Sequence, residues 1–101
     1  MYGLHNKLQA APGKGKELSD ILLQASKLVF EHKCMLYMVS IDEGTPDAVW
    51  ITEVWPTRED HDASLQLAGV RELIARAMPL IGEPPTRGQV LNVLGGLTGQ
   101  N

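Results

Sequence analysis

His61 is the side chain in this 101-residue chain best placed to move a proton. It falls in a helix expected to begin near Arg58. Three-, four- and seven-residue steps put Ser64, Leu65 and Ala68 on its face, so the ring looks toward the core. A neutral imidazole there could accept a proton from a hydroxyl bound against that face; the structural alternative is a core histidine bonded to Glu53, Asp60 or a carbonyl. Asn6 is the second candidate. Strand alternation sets it beside Leu4 and Leu8, and a buried amide left without partners costs about 1–3 kcal/mol. A ligand hydroxyl would satisfy it, and so would loop or helix backbone. Glu53 shares a strand face with Trp55, where a half-buried carboxylate needs a cation or a donor, and it reads as structurally partnered rather than as a base. Tyr37 could offer its hydroxyl to a ligand or pack at an interface. Trp50 and Trp55 lie on opposite faces of one strand, so at most one of them can line a pocket.

Other chemistries fail on spacing. Gly13-Lys14-Gly15 lacks the third glycine of a dinucleotide loop, and nothing matches a phosphate-binding loop. His5, His32 and His61 belong to different elements and do not make a metal site. The net charge of −3 and the scattered lysines and arginines argue against a nucleic-acid partner. Cys34 is the only cysteine, which excludes an intrachain disulfide and fits a reducing compartment. No apolar run approaches the roughly 18 residues of a membrane span, so a cytoplasmic protein with no membrane partner is expected.

The elements that must position these residues follow from periodicity. Tyr2 to Gln9 alternates as a strand and ends in the turn Ala11-Pro12-Gly13-Lys14-Gly15. Leu18, Ile21, Leu22, Ala25, Leu28 and Val29 stripe a helix from about Lys16 to about Lys33. Met35 to Ile41 and Ala48 to Trp55 are strands joined by Asp42-Glu43-Gly44-Thr45-Pro46-Asp47 as a hairpin. Pro56 stops the second of them. Thr57 with Asp60 resembles a capping box, and the helix it opens is expected to break at Gly69 and resume with Val70, Leu73, Ile74 and Ala77. Gln89 to Leu94 is a last strand. One domain over residues 1–95 and a flexible tail over 96–101 complete the chain.

The order strand, helix, strand, strand, helix, strand predicts an α+β, ferredoxin-like βαββαβ sandwich with a four-stranded, mainly antiparallel sheet. Right-handed crossovers are expected to make the first and third strands parallel central neighbours. A sheet covered on one face should alternate cleanly, yet Met35-Leu36-Tyr37-Met38-Val39 and Val49-Trp50-Ile51 are apolar at consecutive positions. No spare helix exists to cover a second face. Leaving on the order of 700–800 Å² of mostly apolar surface wet would forgo roughly 15–20 kcal/mol of gross burial at ~25 cal/mol/Å². A homodimer through the sheet faces, a dimeric α+β barrel, would bury it.

The polar first strand leading into Pro12-Gly13-Lys14, the Glu53-Val54-Trp55 that closes the third strand, and the helical run Arg71-Glu72-Leu73-Ile74-Ala75-Arg76-Ala77-Met78-Pro79-Leu80 together resemble the antibiotic biosynthesis monooxygenase family, in particular its small quinol-monooxygenase-like members. The resemblance spans nearly the whole chain. It implies a homodimer with a pocket between helices and sheet in each subunit, and oxygenation of a small aromatic or quinol-like ligand with no cofactor, neither flavin nor metal. Asn6, seven residues before Gly13, stands where oxygenating relatives hold the substrate. His61 would receive the phenolic proton, leaving an anion able to pass an electron to O2. Walls from Leu4, Leu22, Leu65 and Ile74, with Tyr37, Trp55 and Ser64, would complete the site. Many relatives carry a histidine or aromatic residue where Ser64 stands, and haem-degrading members have a histidine at the position of Ile74, so the resemblance does not extend to haem. An isomerase using the same His61, or a noncatalytic dimeric binding module, are the alternative readings.

Overall fold

The structure is a computed structural model, and it describes residues 1–85 and 88–97. The elements are β1 (Tyr2–Gln9), α1 (Gly15–Phe30), β2 (Leu36–Asp42), β3 (Thr45–Trp55), α2 (Arg58–Ser64), α3 (Ala68–Ala77), a single 3-10 turn (Met78–Leu80) and β4 (Gln89–Asn92). The four strands form one sheet in the order β2-β3-β1-β4. Every pairing is antiparallel, including β1 with β3, which corrects the expected parallel centre. The geometry leaves no choice. The crossover through α1 returns β2 parallel to β1, and the tight hairpin then reverses β3, so the strand inserted between them opposes both.

Register assigns the faces. Opposed residues share a face, so Tyr2, Leu4, Asn6 and Leu8 lie with Trp55, Glu53, Ile51 and Val49 under the helices. Tyr37 and Val39 join them from β2, paired with Glu53 and Ile51. Leu18, Ile21, Ala25 and Val29 of α1, at helical spacing, are buried against this layer. Leu18, Val49 and Trp55 are sealed completely at 0% exposure and mark the bottom of the core.

The start of α1 is held from outside the helix. Lys14 offers no side-chain cap. Instead Asp47, from the end of the β2–β3 hairpin, accepts from the Gly13 and Gly15 amides at 3.0 Å each, placing a carboxylate at the positive helix end. A Cβ on Gly15 would collide with the Pro46 carbonyl, so only glycine lets the hairpin approach this closely.

The break between α2 and α3 falls at Leu65–Leu67, not at Gly69. Leu65, Gln66 and Leu67 donate to the carbonyls three residues back, a tightening that ends the helix after two turns. Gly69 lies in the first turn of α3, where a Cβ would sit 3.0 Å from Leu28. The glycine is there for close packing of α3 on α1. The last strand stops at Asn92, two residues short of the expected Leu94, and residues 98–101 of the expected flexible tail lie outside the described residues.

The face away from the helices is mixed rather than uniformly apolar. Met38 is 50% and Leu91 46% exposed. Between them the His5 ring stacks on Trp50 at 5.0 Å and 19°, with its Nδ1 2.9 Å from the Thr52 hydroxyl. No helix among the described residues is long and apolar enough to cross a membrane.

Asp47→Ala removes both acceptors at the start of α1 and should lower stability by about 1 kcal/mol, a fall of several degrees in the thermal midpoint for a domain of this size. Thermal denaturation followed by circular dichroism measures it.

Candidate active site

Between helices and sheet lies a cavity of about 150 Å³. Leu8, Tyr37 and Glu53 form its floor from three adjacent strands, Ile21, Leu22 and Ala25 of α1 form one wall, and Val70, Leu73 and Ala77 of α3 another. The remaining side is α2 and its end, with His61, Ser64 and Leu65. Leu65, Ile74 and Met78, which also line it, are 40%, 43% and 54% exposed, so the mouth is apolar.

His61 reaches this cavity because α2 starts at a fixed point. Pro56 ends β3, and the Thr57 hydroxyl accepts from the Asp60 amide at 3.1 Å while donating to the Asp60 carboxylate at 3.0 Å. One turn later the His61 side chain is 12% exposed. Its ring meets Trp55 edge-to-face at 5.8 Å and 81°, and lies 5.4 Å from the Tyr2 ring. Its Nδ1 is 2.9 Å from Asp62 Oδ1, and the other oxygen of Asp62 has the Arg58 Nε at 3.8 Å. A carboxylate on Nδ1 fixes the hydrogen there and leaves the Nε2 lone pair free to take a proton. The partner is Asp62, not the Glu53, Asp60 or carbonyl of the structural alternative. Adjacent helical residues do not face one another, so only a histidine at the edge of the cavity, within reach of the exposed face, could make this bond. Ser64, also on the wall, spends its hydroxyl on the His61 carbonyl at 2.6 Å.

Glu53 lines the cavity from the strand face it shares with Trp55. It is only 9% exposed, and its Oε1 accepts from the Trp55 indole N–H at 3.1 Å. Its need for a donor is met two residues along the same strand face. Burial pushes its carboxyl above the ordinary carboxylate value, against the opposing pull of the Trp55 hydrogen bond and the His61 ring. Tyr37, its cross-strand neighbour, has its hydroxyl pushed up first by burial and then by the negative charge of Glu53. Cys34, as expected, is a buried thiol; it donates to the Leu36 carbonyl at 3.2 Å, and burial raises it to about 11, so it is no nucleophile.

Leu22, Tyr37, His61, Ser64, Leu65 and Ile74 all line this one cavity. Three others are not. Asn6 does face the helix-covered side, but its side chain turns to the β4 edge, where a Cβ on Gly88 would overlap its amide oxygen. That oxygen is buried with no hydrogen-bond partner among the described residues. Leu4 pairs with Val90 toward the same edge and is absent from the wall. Trp55, at 0% exposure, is sealed beneath the site, with its indole N–H bonded to Glu53 and the His61 ring against it.

Residues 1–76 match the family model described as antibiotic biosynthesis monooxygenase. The chain belongs to that family. A solved structure from Chloroflexus aurantiacus J-10-fl, which carries the family name provisionally, is 39% identical, with 94% of each chain covered and a TM-score of 0.86. A second, from Nitrosomonas europaea, superposes with a TM-score of 0.85 over 92% of this chain and 89% of its own at 15% identity, a likeness of fold alone. No match was found among curated proteins. Family and neighbours agree with the four-stranded ferredoxin-like architecture seen here.

Because Glu53 holds its proton more tightly in the folded chain than in the unfolded one, its contribution to stability is present below the ordinary value of 4.5 and is lost as pH rises through the raised folded value. Glu53→Gln keeps an acceptor for Trp55 and does not ionise. The variant should match or exceed the wild-type thermal midpoint at neutral pH, and its advantage should shrink on acidification toward pH 4.5. A wild-type midpoint whose gap to the variant does not change with pH would show that Glu53 does not titrate as described.

Proposed function

We propose that this protein is a cofactor-independent monooxygenase acting on a phenolic or quinol-like ring with O2. The observation that carries the reading is the pairing of an apolar cavity with a histidine on its wall, whose Nδ1 is held by Asp62 and whose Nε2 has no hydrogen-bond partner among the described residues. A ring hydroxyl seated toward His61 gives its proton to Nε2. The phenolate passes one electron to O2, the resulting radical and superoxide combine at a ring carbon bearing hydrogen, and loss of that hydrogen with cleavage of the O–O bond releases water. The phenol and O2 become a quinone and H2O, with every atom and electron supplied by the two reactants. The apolar walls keep bulk water from the radical pair.

Size supports this reading. About 150 Å³ is room for a single ring such as benzene, well short of the three fused rings of a flavin or a haem macrocycle. Leu22, Leu65 and Ile74 supply the ring contacts, and Tyr37 offers a hydroxyl from the floor. Asn6, covered at the β4 edge, takes no part.

The homodimer belongs to the same proposal. Met38 and Leu91, each about half exposed on the outer face of the sheet, together with the half-buried Trp50, make a patch that a second copy would cover. Sedimentation at micromolar concentration should give twice the 11.1 kDa chain mass, and Met38→Lys should shift it toward the monomer.

Purified protein with a panel of hydroquinones under air should consume O2 and yield quinone products. His61→Ala should lose about 10²–10⁴-fold in rate, the usual range for general base catalysis. Turnover that continues unchanged under argon would replace the oxygenase with an isomerase, rates insensitive to His61→Ala would remove His61 as the base, and no turnover of any ring would leave a binding module.

A further inference from the structure

Three polar groups share the inner end of the cavity, and their chemistry is one-sided. Glu53 has one oxygen engaged by the Trp55 indole, and no other group among the described residues donates to the carboxylate. His61 presents a lone pair, since its N–H is directed to Asp62. Tyr37, cross-strand from Glu53, can donate or accept. The Ser64 hydroxyl is already given to the His61 carbonyl. No lysine or arginine lines the cavity among the described residues. The polar end is therefore rich in acceptors, carries a carboxylate that is nine-tenths buried, and offers an incoming anion no cation.

We propose that Glu53 is a specificity residue that makes this cavity select ring ligands presenting a hydrogen-bond donor, a hydroxyl or an amino group, and reject ring carboxylates of similar size. A donor on the ring satisfies the free Glu53 oxygen and removes an unmet acceptor from an apolar surround. A carboxylate in the same place sets two like charges together away from water, which disfavours either charge. Discrimination comes from that repulsive element as much as from the attractive one. The inference rests on the reading of the cavity as the ligand site, and it is independent of whether the bound ring is then oxygenated.

The probes are hydroquinone and benzoate, titrated calorimetrically against the full chain under argon at about pH 8, where both the carboxylate of the probe and that of an ordinary glutamate are ionised. Wild-type protein should bind hydroquinone at least about tenfold more tightly than benzoate, and Glu53→Gln, which still accepts from Trp55, should narrow that ratio by about tenfold. Equal wild-type affinities, or a ratio unchanged in folded Glu53→Gln, would overturn the proposal. Should that variant fail to fold, the wild-type ratio decides alone, with 4-aminophenol expected to follow hydroquinone. Binding of neither ring removes both this inference and the ligand site itself, whereas selective binding without O2 uptake leaves the inference standing and removes only the oxygenase.

Discussion

A carboxylate buried in an apolar layer is the constraint around which this site is arranged. Glu53 sits on the helix-covered face of the central strand β3 with 9% of its surface exposed, where an unpartnered charge would be costly. Its neighbour on that face, two residues on, is Trp55, a large side chain with one polar atom that also needs a partner once sealed from water. Each supplies what the other lacks, at 3.1 Å. The indole then forms the platform on which the edge of His61 rests, at 5.8 Å. One hydrogen bond thus anchors the floor of the cavity and the helix that carries the histidine, and it leaves a single carboxylate oxygen facing the space between them.

The two sides of the sheet are built on different terms. Under the helices, strand residues meet helix residues over Leu18, Val49 and Trp55, which are fully buried. On the other side β1 contributes His5, Lys7 and Gln9, and the aromatic surface of Trp50 is shared between the stacked His5 ring and the Lys7 ammonium 6.0 Å away. Polar groups that satisfy one another over an aromatic ring can rest against water or against a second protein surface. The bare Met38 and Leu91 cannot do the first without cost.

What the sequence discloses depends on how local the cause is. The helix over Gly15–Phe30, the hairpin and the cap at Thr57 are each dictated by residues within a turn or two, and they are legible from spacing. The face of a strand residue such as Asn6 or Glu53 is equally legible, because alternation admits two answers, and helical spacing does the same for His61, Ser64 and Leu65. Position along the sheet is not legible in this way. Asn6 and Leu4 point to the correct side but serve the β4 edge, since only the register with Val90 and the glycine at position 88 decide which end of the layer they occupy. Asp47 capping α1 from 32 residues away could not be read from any local pattern. The relative direction of β1 and β3 required the two crossovers to be followed to their ends, and Gly69 misled because a glycine that admits a neighbouring helix looks, in sequence, like one that breaks its own.

The short length of α2 has a chemical consequence. Had that helix run on through Gln66 into α3, one rigid rod would have covered the sheet from Arg58 to Ala77. Instead Leu65, Gln66 and Leu67 close it with three-residue hydrogen bonds, and the chain changes direction over the cavity. The two helices can then approach the sheet independently. α3 is drawn onto α1 through Val70, Leu73 and the bare Cα of Gly69, while α2 stays seated on Trp55 through His61. The space they leave is the cavity, with the exposed Leu65 and Ile74 at its mouth. An apolar entrance over an acceptor-rich end favours a neutral ring with a hydroxyl leading. On the proposed reading such a ligand would shed little hydration on entry and regain its hydrogen bond at Glu53, Tyr37 or His61, whereas a charged one would lose its water at the mouth and find no lysine or arginine among the described lining residues.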